Sequence, residues 1–284
     1  MLLKAYAKVN LFLEIVARRD DGYHELETIL QTISLHDELE LAPQPEKISI
    51  TCNLPYLPID ERNLAYRAAK LVKEKTGTNQ GVGIKLNKQI PVGAGLGGGS
   101  SDAAAVLLGC NRIWGSNLSD SDLVELGMQL GMDVPFFLHG GTALAVGRGE
   151  RIIQQLPTPA LELIIVYPNF PVPTASVYKN LDIRSRTSKQ ESTKLLSALQ
   201  LGNVIKIAGL LFNRLEVSTF KLHPQLTKIK DILIHEGCLG ALLSGSGSAL
   251  FGIAQNNQSA DLISRKLATT TKYWIKPVIT IPQY

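Results

Sequence analysis

The amino-acid sequence predicts an α+β chain of two domains, on three observations. A length of 284 residues exceeds the usual span of one domain, and 45% hydrophobic against 19% charged residues supplies large cores without any low-complexity tract. Strand-like apolar segments alternate with segments of helical spacing throughout. In the second half, the order strand, helices, two strands, helix, strand points to an antiparallel sheet with helices on one face. Pro157 and Pro159 mark the boundary, giving domains over residues 1–156 and 157–284.

Residues 5–17 alternate as a strand, with Lys8 and Asn10 on one face and Val9, Leu11 and Leu13 on the other. After the polar turn at residues 18–22, Tyr23 and His24 lead into a second strand over 27–33, and residues 38–41 and 47–51 read as two more. Leu64, Ala68, Leu71 and Val72 recur at helical spacing, predicting a helix over 60–75. A strand over 82–86 feeds Pro91, and the Ala-rich run 102–108 is helical. A helix over 120–130 ends at Gly131, where Asp133-Val134-Pro135 opens the next turn. Residues 141–146 and 151–155 form a hairpin. Residues 161–167 are a strand, 168–174 a proline-rigid loop, and Thr174 is placed to cap a helix through Leu181. Residues 189–216, 224–236 and 258–268 are predicted helices, with strands at 239–243 and 249–254 and one more at the end.

The stretch Pro91-Val92-Gly93-Ala94-Gly95-Leu96-Gly97-Gly98-Gly99-Ser100-Ser101 follows a strand and opens a helix. Glycine allows positive φ and close approach of the main chain to a ligand, and a helix N-terminus offers unpaired N–H groups to an anion. A triphosphate suits that description; a glycine-rich structural turn is the plain alternative. Gly93, Gly95 and Gly98 satisfy the dinucleotide-binding spacing, but the acidic strand end required about 20 residues later is absent, since Asp120 and Asp122 sit at a helix start. A Walker A loop needs a terminal lysine, and none occurs between Lys88 and Lys179. The protein-kinase His-Arg-Asp and Asp-Phe-Gly motifs are also missing.

This loop resembles the phosphate loop of the GHMP small-molecule kinases. Four further segments resemble that family: Ala-Lys-Val-Asn-Leu-Phe-Leu at 7–13, Asp-Gly-Tyr-His-Glu-Leu at 21–26, Gly-Met-Asp-Val-Pro-Phe-Phe at 131–137 and Leu-Ser-Gly-Ser-Gly-Ser-Ala-Leu-Phe at 243–251. The resemblance spans nearly the whole chain. It implies an N-terminal ribosomal-protein-S5-domain-2-like α/β domain and a C-terminal ferredoxin-like antiparallel sheet with helices. It further implies transfer of a phosphoryl group from ATP, with Mg²⁺, to the 2-hydroxyl of a cytidine-diphosphate-linked methylerythritol in non-mevalonate isoprenoid precursor synthesis.

Individual residues carry two readings each. By type, Lys8 is a solvated strand lysine; the resemblance sets it beside the transferred phosphoryl group, with Asn10 at the substrate. Asp133 is an N-cap by type and the catalytic aspartate by resemblance. Tyr23 and His24 are a packing ring and a surface group on their own, whereas the resemblance has the tyrosine stack on cytosine and the histidine hydrogen-bond to it. The resemblance has Thr174 and Tyr178 face the cytidine, Tyr178 covering the other side of the base, and their spacing of four puts them on one helix face. Asn63 either caps its helix or reaches the adenine. Gly245, Ser246 and Gly247 form a hairpin turn or, by resemblance, support the phosphate loop. No magnesium ligand is identifiable.

The net charge of +4 comes from scattered basic residues, which favours a small anionic substrate over nucleic acid. Cys52, Cys110 and Cys238 are odd in number, widely spaced and without a Cys-x-x-Cys pair, which suggests neither a disulfide framework nor a zinc site and fits reduced thiols. No run approaches the roughly 18 apolar residues that span a bilayer. A monomer or weak homodimer in a bacterial cytoplasm is expected. The rival readings are another GHMP kinase, acting on homoserine, mevalonate or a sugar, and a nucleotide-binding regulatory module without turnover.

Overall fold

The computed structural model describes residues 1–181 and 190–284, apart from the side chains of residues 190 and 191. In chain order the elements are β1 (Leu2–Arg18), β2 (His24–Gln44), β3 (Ile48–Cys52), α1 (Leu64–Thr76), β4 (Gly81–Asn87), α2 (Gly98–Ile113), α3 (Asp120–Leu130), α4 (Val134–Phe137), β5 (Thr142–Gly147), β6 (Arg151–Leu156) and β7 (Glu162–Tyr167). There follow α5 (Thr174–Lys179), α6 (Gln190–Gln200), α7 (Val204–Gly209), β8 (Phe212–Asn213), α8 (Leu215–Leu222), α9 (Gln225–His235), β9 (Gly240–Leu243), β10 (Leu250–Ala254), α10 (Asn257–Thr270) and β11 (Trp274–Ile279).

The chain forms two compact units, and neither is a continuous half. The first comprises Met1–Ala7, Leu35–Pro91 and Gly97–His139; the second comprises Lys8–Ser34, Val92–Leu96 and Gly140–Tyr284. The expected boundary after residue 156 falls inside the second unit.

In the first unit, the C-terminal part of β2 pairs antiparallel with β4, Leu41 opposite Ile84, and β4 pairs parallel with β3. Alternation in β4 buries Val82, Ile84 and Leu86. Helices α1 and α2 bury small residues, Ala65, Ala68 and Ala69 on one and Ala103 and Ala104 on the other, and pack against each other. Asn63 starts α1 by accepting from the Ala65 amide at 3.0 Å, and Gly77, at φ 67°, ends it. At α3 the Ser119 hydroxyl and the Asp122 carboxylate satisfy each other's backbone amides in a capping box, at 3.2 and 3.0 Å.

In the second unit, the N-terminal part of β2 pairs antiparallel with β5, and β5 with β6. β1 runs parallel to β8, Phe12 opposite Phe212. Arg214 seals this edge, donating through Nε and a terminal nitrogen to both oxygens of Glu14 at 2.8 and 2.9 Å. A separate antiparallel sheet has the order β11-β7-β10-β9. Ile164, Val166, Leu243 and Leu250 from its strands share one core with Leu226, Ile229 and Leu233 of α9 and with Ile263 and Leu267 of α10. This is the antiparallel sheet with helices on one face that the order of segments predicts.

Three predicted elements need correction. Residues 27–33 and 38–41 belong to one 21-residue strand, β2, and Asp37 in the gap between them is buried against partners of its own. α2 begins at Gly98 rather than at residue 102, because Gly97 takes the left-handed N-cap position at φ 73° and the next two glycines and two serines wind into the first turn. The helix expected over 189–216 is broken into α6, α7, β8 and α8, and residue 189 lies outside the described residues. Gly202, at φ 61°, leads out of α6, Asn203 caps α7 by accepting from Lys206 N at 3.0 Å, and Asn213 accepts from Leu215 N at 2.9 Å to open α8.

Phe251 is fully buried on β10, inside the second sheet. Phe251→Ala is expected to lower unfolding free energy by about 3–5 kcal/mol, read from the urea midpoint at constant slope; a shift below about 1 kcal/mol would contradict this packing.

Candidate active site

The glycine stretch alternates in backbone hand. Gly93, Gly95 and Gly97 have φ of 68°, 79° and 73°, and no positive φ occurs at Ala94 or Leu96 between them. Alternating hand along a chain gathers successive N–H groups on one side, which makes a concavity for an anion. Ala94 and Leu96 turn their side chains into the core, each 1% exposed.

Five consecutive carbonyls of this stretch are occupied within the second unit. Val92 O accepts from the Tyr167 hydroxyl (3.4 Å), Gly93 O from Val172 N (3.3 Å) and Ala94 O from Ala249 N (3.0 Å). Gly95 O accepts from the Ser244 hydroxyl (2.9 Å) and Leu96 O from Lys8 N (3.0 Å). The N–H groups of the same residues take part in none of these bonds. Gly95 has no alternative residue, because a Cβ there would stand 2.1 Å from Ser244 O.

Lys8 lies beside this anchored stretch and is buried, 4% exposed, so it is not a solvated strand lysine. Its Nζ donates to Asn10 Oδ1 at 2.7 Å; Asn10 Nδ2 donates to Thr28 Oγ1 at 2.8 Å; that hydroxyl donates to Phe12 O at 2.7 Å. The relay fixes the asparagine amide so that its oxygen faces the ammonium group. Gly245 closes over both, since a Cβ there would sit 3.5 Å from Lys8 Nζ, 3.6 Å from Asn10 Oδ1 and 3.3 Å from Gly95 O. Asn213 Nδ2 holds that turn by donating to Gly245 O (2.7 Å) and Leu243 O (2.8 Å). Among the described residues of the second unit, Lys8, Asn10, Gly95 and Gly245 therefore form one cluster. Ser246 reaches further, its hydroxyl 2.9 Å from that of Thr174.

The expected base-binding residues are also in this unit. His24 and Tyr178 are together, with ring centroids 5.2 Å apart and a 34° tilt. Burial, and then the charge of Arg18, lower the His24 pKa. Tyr23 is exposed, and the Arg148 guanidinium lies over its ring at 5.0 Å. Thr174 does not cap α5: Pro173 holds the N-cap position and makes no side-chain cap, while the threonine hydroxyl pairs with Ser246.

The first unit holds Asn63, Pro91, Gly97 to Ser101 and Asp133. Asn63 is committed at both ends of its amide, accepting from Ala65 N and donating to Pro58 O at 2.9 Å. Its neighbour Leu64 lies 3.6 Å from where a Cβ of Gly99 would be, so the starts of α1 and α2 adjoin. Asp133 occupies the N-cap position of α4 but forms no capping hydrogen bond, which removes the cap reading of its carboxylate. A Cβ on nearby Gly131 would sit 3.5 Å from Ser100 Oγ, placing this turn against the first turn of α2.

Sequence reasoning missed a buried trio under that helix start. Lys88 Nζ pairs with Asp37 Oδ2 and, at 2.7 Å, with Asp102 Oδ2; the three side chains are 4%, 0% and 4% exposed. Asp37 Oδ1 also accepts from the backbone of Gln89 (2.5 Å) and Ile90 (2.8 Å). Asp102 Oδ1 is buried and has no hydrogen-bond partner among the described residues. Burial pushes the Asp102 carboxyl up to about 8, Lys88 opposes that rise and Asp37 adds to it. Burial lowers the Lys88 pKa, but the two carboxyl groups outweigh it and the net shift is upward. The available signal was Asp102 directly after Gly-Gly-Gly-Ser-Ser, although an acidic residue in a first helical turn ordinarily serves the helix dipole at the surface.

Residues 63–141 match the GHMP kinases N terminal domain, and residues 195–272 match the GHMP kinases C terminal domain. The chain is 42% identical over 280 residues to a 4-diphosphocytidyl-2-C-methyl-D-erythritol kinase of Caldicellulosiruptor saccharolyticus, covering 98% of this chain and 95% of that one. It is 44% identical over 272 residues to a protein of the same name from Clostridium kluyveri, covering 96% and 97%. A crystal structure of 4-(cytidine 5'-diphospho)-2C-methyl-D-erythritol kinase matches it with a TM-score of 0.85 at 37% identity, over 99% of this chain and 100% of that one.

Gly95→Ala is expected to lower stability by at least about 1 kcal/mol, through backbone strain and collision with Ser244, measured by denaturant unfolding. Asp102 gives a prediction in pH. Its folded pKa of about 8 stands above the ordinary 3.8, so the folded chain holds the extra proton between those values. The contribution to stability is complete below about 3.8 and is lost as pH rises through about 8. The stability of wild type relative to Asp102→Asn should therefore fall over that window in paired unfolding curves.

Proposed function

The chain belongs to the GHMP kinase family, and from that membership we propose that it transfers the terminal phosphoryl group of ATP to the 2-hydroxyl of 4-diphosphocytidyl-2-C-methyl-D-erythritol. The observation that carries this reading is the glycine stretch of alternating hand, with five carbonyls anchored behind it and a buried lysine beside it. Such a main chain suits the phosphates of ATP, and the identity with the Caldicellulosiruptor and Clostridium proteins supports the particular alcohol.

The proposed division of labour follows from what each group offers. From Pro91 to Ser101 the loop surrounds the phosphates, with N–H donors from Val92 to Ser100 and the serine hydroxyls; Asn63, its amide committed to Ala65 N and Pro58 O, holds the start of α1 at the adenine end. Lys8, desolvated and aimed by Asn10, supplies positive charge to the transferred group, which the loop's own side chains lack. Gly245, Ser246 and Gly247 support the loop from their turn. Asp133 accepts or orients the hydroxyl proton as the alcohol oxygen attacks phosphorus and ADP departs. Asn10, Thr174, Tyr178, Tyr23 and His24 bind the substrate. His24, with its pKa lowered by burial, is neutral near pH 7 and offers one donor and one acceptor to a cytosine edge. Tyr23 has one face under Arg148, leaving the other for stacking.

Magnesium enters with ATP as part of the substrate. Among the described residues no group of three or more His, Cys, Asp or Glu side chains stands ready to hold a metal. Beside a nucleotide Mg²⁺ is commonly held chiefly by phosphate and water. No helix among the described residues is long and apolar enough to cross a membrane. Action in the cytoplasm, where ATP is supplied, completes the proposal.

ADP release with Mg-ATP tests the proposal, comparing the diphosphocytidyl alcohol with homoserine, mevalonate and galactose. Turnover on the first alone is expected. Turnover only on another alcohol removes the cytidine assignment, and binding of ATP without any turnover removes the kinase. Asp133→Asn should lower kcat by roughly 10²- to 10⁴-fold while ATP affinity changes little; near-normal turnover would discard its role.

A further inference from the structure

The trio Asp37, Lys88 and Asp102 has no part in the chemistry above, yet it lies under the glycine loop's helical end. Lys88 Nζ would stand 3.2 Å from a Cβ on Gly98, the first residue of α2. Asp102 belongs to the same helix, directly after Ser100 and Ser101, and Asp37 holds the backbone of Gln89 and Ile90 just before Pro91. Both flanks of the loop are thus tied to one buried ammonium group through two carboxyl groups. Asn53 adds a clamp on the same segment, accepting from Lys88 N at 2.8 Å.

Two carboxyl groups share one ammonium group, so the trio is neutral when one carboxyl carries a proton and has charge −1 when neither does. The partnerless Oδ1 identifies Asp102 as the oxygen site least served when charged. A net negative charge buried behind an anion seat acts with little screening.

We propose that Asp102 is a positioning residue for the nucleotide: with Lys88 and Asp37 it fixes the first turn of α2, and the proton it carries keeps the ground behind residues 98–101 neutral, so that polyphosphate is held best in that state. This inference rests on the reading of the loop as the ATP seat and deepens it. The charged groups facing Asp102 are Asp37 from β2 and Lys88 from the segment after β4. The residues that α1, α3 and α4 bury are apolar apart from Gly127 of α3: Ala65, Ala68, Ala69 and Val72; Leu123, Leu126 and Leu130; Val134, Pro135, Phe136 and Phe137. His36, next to Asp37, stacks edge-on with Tyr6. The upward shift of the Asp102 pKa to about 8 puts the change of charge within reach of a titration.

The test is binding of Mg-ATPγS, whose terminal phosphate stays ionised throughout, by calorimetry from about pH 7 to about pH 9.5, with wild type and Asp102→Asn in parallel. Wild-type affinity should fall roughly three- to tenfold across the range, and the Asn variant, permanently neutral, should fall by less than about twofold. Groups common to both proteins cancel in the comparison. At saturating ATP the variant's kcat should stay within about twofold of wild type, the effect appearing in KM for ATP. Parallel pH profiles would overturn the inference while leaving the seat intact. Absence of wild-type binding at neutral pH would overturn the seat itself and the inference with it. Should the Asn variant fail to fold, Asp102→Ser removes the same charge, and the same comparison decides.

Discussion

A peptide unit carries a donor and an acceptor, and a buried main chain must satisfy both. The glycine stretch meets that requirement unequally: its carbonyls from Val92 to Leu96 are bound by Tyr167, Val172, Ala249, Ser244 and Lys8, and its amides are kept out of that arrangement. The alternating φ of Gly93, Gly95 and Gly97 makes this separation possible, and only glycine takes those angles without strain. The rest follows as support. Ala94 and Leu96 root the loop in the core, Asn213 steadies the turn at Gly245, and Ser244 closes on Gly95.

Buried charge is managed differently in the two units. In the second, Lys8 is desolvated beside an oriented amide oxygen that aims the ammonium group. In the first, Lys88 is placed between two carboxyl groups. The buried lysine between two carboxyl groups helps hold backbone in place, through Asp37 at Gln89 and Ile90.

Most of the fold was legible because its signals are local. Ser119 with Asp122 marks the start of α3, the spacing of Leu64, Ala68, Leu71 and Val72 marks α1, and the apolar run at 161–167 marks β7. The loop's character could be read from Gly93, Gly95 and Gly97 alone, since residues requiring positive φ at every second place leave few conformations. What could not be read depends on distant residues. The gap left between the strands predicted at 27–33 and 38–41 closes because Asp37 meets Lys88, 51 residues away. The helix foreseen over 189–216 breaks first at Gly202 and again around Asn213, whose side chain is drawn to Leu243 and Gly245. Thr174 has the composition of a cap, yet Ser246 takes its hydroxyl. In each case a tertiary partner outbids a local preference that sequence pattern alone can see.

The partners of the glycine loop are spread along the chain from Lys8 to Ala249. During synthesis, Gly93 to Gly97 leave the ribosome long before Ser244 and Ala249 exist, so the carbonyls they will serve must face water or a chaperone in the meantime. A nascent chain therefore has no finished glycine loop until Ser244 and Ala249 have emerged to bind Gly95 O and Ala94 O.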